Sequence, residues 1–273
     1  MKTRSSRMLL SAFLMATSCV LSCGGLGTST NPNDPNNPNN PQNSDAITQI
    51  YGKSTTTLRI EIDYQANAEP YSGSLIAQDV WELFRANATK LFPGKTLDLP
   101  TQKSQWEQLN DITGTSFTGQ QLLDIAAAHR GLKNSAGQAT FYFIFLDGNY
   151  NDGKTVRTDV LGVAIGTTGV IGMFKPVIKS ASNLPSIQKF VEQSTLIHEF
   201  GHAIGLVDNG VKPVAAHKDE PNGAHCSNSK CVMYYANEGA AAAVQFAQKY
   251  ISTGNEILFD TDCQNDVATR SAQ

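Results

Sequence analysis

The stretch Thr195-Leu196-Ile197-His198-Glu199-Phe200-Gly201-His202-Ala203-Ile204-Gly205-Leu206-Val207-Asp208 decides how the rest of the chain is read. On a helix, residues four apart share a face, so His198 and His202 can aim two imidazole nitrogens at one cation. Glu199 stands beside them as a base. Gly205 follows the second histidine by three residues, where a left-handed residue lets the helix stop and turn the chain back. Taken alone, HExxH also occurs on helices that bind nothing, and the three side chains would then line an exposed face. The glycine and a second match downstream argue for metal.

That match is Cys231-Val232-Met233-Tyr234-Tyr235. HExxHxxG followed by a methionine-containing turn resembles the metzincin clan of zinc metalloproteases. The resemblance implies an α/β (α+β) zincin domain, with a mixed twisted sheet, a long zinc-binding helix, a Met turn and a C-terminal helix. It implies one catalytic Zn2+ with three protein ligands and an open position for water. His198 and His202 are two of those ligands. Glu199 would take a proton from metal-bound water as it attacks a scissile carbonyl. Met233 would form the apolar floor beneath the ion. Tyr235 matches the position from which a tyrosine in astacin-like and serralysin-like enzymes reaches the metal or the oxyanion, with core packing as the alternative.

Three residues compete for the third ligand. Asp208 lies three residues beyond Gly205, as in the common metzincin pattern, yet Asp208-Asn209-Gly210 is also a plain turn signature. His225-Cys226-Ser227-Asn228-Ser229-Lys230-Cys231-Val232-Met233 is similar to the HCxxxxCVM segment of archaemetzincins, whose histidine is a zinc ligand. On that resemblance, residues 208 to 224 are an insertion that loops out and returns His225 to the metal. His217, inside the insertion, is the third possibility. Archaemetzincins also hold a structural zinc through four cysteines. This chain has Cys226, Cys231 and Cys263, with Asp266 where the fourth would be. A Cys3Asp site is conceivable, but in an exported protein a Cys226 to Cys231 disulfide is the expectation, leaving Cys263 over.

Export is read from the N-terminus. Lys2, Arg4 and Arg7 precede an apolar run from Met8 to Val20, so residues 1–22 form a signal peptide. Val20-Leu21-Ser22-Cys23-Gly24 resembles a bacterial lipobox, in which Cys23 carries lipid; the alternative is plain secretion with cleavage near Gly24 or Gly25. Residues 23–45 are a lipidated cysteine and an Asn/Pro-rich tether, too polar to offset the entropy of ordering. Residues 46–273 are the catalytic domain. Removing the signal moves the formal charge from −3 to −6, and no Lys/Arg run is present, so nucleic acid is not expected as a partner. A monomer is expected, held at the cell envelope, at the outer membrane or cell surface, through its lipid alone.

Within the domain, Leu58, Ile60 and Ile62 alternate with Arg59, Glu61 and Asp63, which reads as a half-buried strand. Helices are expected over 76–92, 118–130, 185–205 and 239–251. Phe141 to Leu146 is continuously apolar and suits a central strand covered on both faces. Strand segments follow at 161–166 and 169–174. By the resemblance, an extended substrate peptide would pair with the strand above the cleft; residues 169–174 are the candidate for it, and a simple hairpin is the alternative. The chemistry expected is zinc-dependent cleavage of a peptide or protein substrate. The alternatives are a non-catalytic surface-binding lipoprotein on the same fold, or hydrolysis of a non-peptide amide.

Overall fold

The computed structural model describes residues 41–273 except 76 and 77. The signal peptide, Cys23 and most of the tether therefore lie outside the described residues. In chain order the elements are α1 (Pro41–Tyr51), β1 (Thr57–Gln65), β2 (Ser74–Leu75), β3 (Gln78–Asp79), α2 (Glu82–Leu91), β4 (Thr96–Asp98), β5 (Glu107–Leu109), β6 (Ser116–Thr118) and α3 (Gly119–His129). Then come β7 (Gln138–Leu146), β8 (Asn149–Asn151), β9 (Val156–Arg157), β10 (Gly162–Ala164), β11 (Val170–Phe174), α4 (Lys175–Ser180), α5 (Pro185–Ala203), α6 (Ala240–Thr253) and α7 (Thr261–Ala272).

The main sheet runs β10-β11-β7-β1-β4, with β5 also on β1. β7 pairs in parallel with β1 on one side and β11 on the other. Its residues after Gln138 are all buried, as a strand covered on both faces requires. Phe84 of α2 meets Phe143 and Phe200, and Phe200 of α5 also meets Phe141, so α2 and α5 cover the face of the odd-numbered aromatics. On the opposite face a Cβ at Gly172 would stand 2.8 Å from Leu122 of α3, and this approach is why glycine occupies the strand there.

Four expectations change. The helix expected from residue 76 starts at Glu82, because the β2–β3 hairpin precedes it and Asp79 accepts the Trp81 N–H at 2.9 Å. Folding begins within the expected tether: α1 starts at Pro41, and Ile47, Ile50 and Tyr51 are buried. Asp63, expected on the polar face of β1, is buried instead. Residues 169–174 are not an edge. β11 is interior, and the antiparallel strand β10 is the edge beside α5.

Candidate metal centre

α5 carries His198, Glu199 and His202 on one continuous helix. His198 Nδ1 meets the Val232 carbonyl at 2.7 Å, which fixes its ring and leaves Nε2 facing His202 Nε2 at 3.0 Å. A carbonyl behind one ring nitrogen is the usual means of aiming the other at a cation. Gly201 lies between the two histidines, and a Cβ there would sit 2.3 Å from Met233 Sδ. The buried methionine thus packs directly on the helix under the paired histidines.

The helix ends as its sequence demands. Gly205 has φ +85°, its N–H bonds the His202 carbonyl at 2.9 Å, and a Cβ would strike Ile47 at 2.6 Å. Val207 and Asp208 continue in left-handed conformations, at φ 54° and 65°. This turn carries the Asp208 carboxylate to Lys218 Nζ at 2.8 Å, half exposed and outside the histidine group. Asp208 as third ligand is accordingly corrected: it has the spacing of a ligand and the geometry of a turn.

The segment after it runs out and returns. Lys218 bridges Cys226, and Asp219 N–H donates to the His225 carbonyl at 2.7 Å. His225 is thereby set beside α5, its Nδ1 on the Asn222 carbonyl at 2.6 Å. His198, His202, His225 and Glu238 offer donor atoms that all lie within 4.8 Å of one another. His225 Nε2 is 2.9 Å from Glu238 Oε1, and His198 and His202 Nε2 are 3.9 and 4.0 Å from the same oxygen. Three imidazole nitrogens and a carboxylate oxygen in one small volume suit a divalent cation such as zinc. Two imidazole nitrogens 3.0 Å apart also need a proton or a cation between them.

Charge and burial act on each member. Burial lowers the His202 pKa well below its ordinary value, and the neighbouring histidines lower it further. For His198 the loss of water also disfavours the cation, but the Glu238 and Glu199 carboxylates outweigh it and raise the pKa. Burial pushes Glu199 up to about 7, opposed by His198. Burial would raise Glu238 as well, yet the neighbouring His198 imidazole and the hydrogen-bonded His225 hold it at about 2. Glu199 Oε2 accepts the Ala164 N–H at 2.8 Å, tying it to the edge strand β10. Tyr235 packs against Tyr234 with the rings tilted and their centroids 4.8 Å apart, half buried at the start of the 3-10 turn Tyr235–Glu238.

A second group gathers His217, Cys226, Asp260 and Cys263, again within 4.8 Å. The Cys226 to Cys231 disulfide is not formed. Cys226, Cys231 and Cys263 are free and buried, and Cys231 Sγ lies 3.6 Å from Cys263 Sγ, against about 2.05 Å for a bond. Cys231 and Cys263 donate to the Cys226 sulfur and, against its burial, hold that thiol far below its usual pKa. His217 is 3.4 Å from Cys226 Sγ, so it belongs to this group and not to the first. Asp266 stands behind it, 2.8 Å from His217 Nε2, as an orienting carboxylate and not a fourth ligand. This set could hold a metal ion beyond the one expected.

Sequence reasoning missed Glu238 and Asp260, which no motif spacing marks. The carboxylate close behind the Met233 turn was the one available hint for Glu238. Neither a protein-family model nor a curated protein sequence matches this chain. Among solved structures, the fold is similar to the crystal structure of archaemetzincin from Methanopyrus kandleri. The identity is 12%, the match covers 81% of this chain and 98% of that one, and the TM-score is 0.50. At that identity the likeness speaks for the fold.

Proposed function

We propose that this chain is a zinc-dependent endopeptidase of metzincin type. The observation that carries the reading is the convergence of His198, His202 and His225 beside a buried Glu199 that is bonded to an edge strand. A zinc ion held by the three imidazoles would supply a Lewis acid and an activated water. The chain's own residues do the rest. Glu199, buried beside His198 on the same helix, can accept a proton from water and return it to a leaving amine. β10 is the edge strand of the sheet, the position where an extended peptide would pair through main-chain groups, which favours peptide substrates. Met233 and the Val232 carbonyl hold the histidine-bearing helix in register.

Glu199→Gln is the decisive variant. Cleavage of an unstructured peptide should fall by about 10²–10⁴-fold, the usual worth of a general base, with zinc content unchanged. Cleavage that survives the change would sink the mechanism, and unchanged folding with no cleavage in the wild type would favour the non-catalytic alternative. The same reading extends to location. Cys23 carries the lipid anchor, so Cys23→Ala should move the protein from the membrane fraction to the soluble one. Among the described residues no helix is long and apolar enough to cross a membrane.

A further inference from the structure

Glu238 is the member of the histidine group that the three-ligand picture does not use. Zinc bonds of about 2.0–2.1 Å in a tetrahedron set the donors about 3.3 Å apart. The separations here are 3.0 Å between His198 and His202, 2.9 Å between His225 and Glu238, and 3.9 and 4.0 Å from Glu238 to the other two rings, so they bracket that edge. The turn that presents the carboxylate is firmly tied. Asn237 Nδ2 donates to the Cys231 and Val232 carbonyls at 3.1 and 3.0 Å, and Val232 is the carbonyl that orients His198. On the other side Gly239 bridges Val160, two residues before the edge strand β10.

We propose that Glu238 is a fourth protein ligand of the ion and that Tyr235–Gly239 is a built-in stopper. Its carboxylate takes the coordination position that water needs, and its backbone lies against the chain leading into the edge where a peptide would pair. Turnover then requires the turn to withdraw. This rests on the zinc peptidase reading.

The test compares full-length wild type, Glu238→Gln and Glu238→Asp. Zinc affinity is measured by competition with a chromophoric chelator, coordination by the visible absorption of cobalt(II) at the site. Glu238→Gln should weaken zinc at least tenfold and change the cobalt spectrum, with Glu238→Asp intermediate. At saturating zinc the glutamine variant should cleave an unstructured peptide several-fold faster than wild type. Equal affinity and an identical cobalt spectrum would overturn the ligand assignment while leaving the three-histidine site intact; slower cleavage would overturn the stopper. Wild type that binds neither ion would overturn the site reading and this inference together. If the glutamine variant does not fold, the aspartate variant decides by the same readouts.

Discussion

At β1 the alternation of apolar and polar side chains ends with Asp63, which turns its carboxyl inward to accept the Tyr142 hydroxyl. Burial pushes its pKa up to about 6, although the Tyr142 hydrogen bond pulls the other way. A carboxyl whose folded pKa is raised binds its proton more tightly in the native state. Its contribution is fully present below the unfolded pKa and is lost as pH rises through the folded one. The melting temperature of Asp63→Asn should therefore gain on wild type between about pH 4 and 7, followed by circular dichroism; a difference constant across that range would contradict it. Side chains of this kind were unreadable from spacing. Period two assigns Asp63 to the solvent face, and only its partner on β7 explains the reversal. The third ligand is the same case. His225, Asp208 and His217 stand in a segment whose path is set by a left-handed turn and a hairpin-like return, and residue counting cannot trace such a path.

Among the elements, α5 was the most fully readable. Its two histidines and the glycine stop are local features of one segment, and Pro185 at its start has the fixed φ suited to a first helical turn, although burial runs all round the helix from Phe190 to Gly201. Its packing against Met233 makes a sharp prediction. Alanine is the better helix former by about 1 kcal/mol, yet Gly201→Ala sets a Cβ against Met233, with Phe259 3.2 Å away on the same site. Overpacking costs of about 1–3 kcal/mol should win, so the urea midpoint should drop and zinc affinity with it. The helices α1 and α7 escaped the reading because their signal is weak. α7 is Thr-Asp-Cys-Gln-Asn-Asp-Val-Ala-Thr-Arg-Ser-Ala, and it buries only Cys263, Asp266 and Val267. α1 begins among asparagines and prolines that look like a tether. The swap of roles between β10 and β11 has a similar origin. Both are short and glycine-bearing, and only the parallel pairing of β11 with β7 puts one inside the sheet.

For the whole molecule, metal and thiols give two measurements. Zinc that binds only the folded chain stabilises it by mass action, about 2.7 kcal/mol at a hundredfold excess over Kd. Removing it with a chelator should lower the melting temperature, and restoring it should reverse the loss; a melt indifferent to zinc would mean that the histidine group holds no ion. Cys226, Cys231 and Cys263 are wholly buried, so a thiol reagent should leave the native protein untouched and label all three after unfolding.

The order of elements along the chain has a temporal meaning. The last sheet strand ends at Phe174, while the first donor of either group is His198 and the last are Glu238 and Cys263. A ribosome adding about 5–20 residues per second thus delivers every strand of the scaffold seconds before any cluster of donors can close. A growing chain therefore offers only incomplete donor sets, and both sets close after the sheet that supports them has been made.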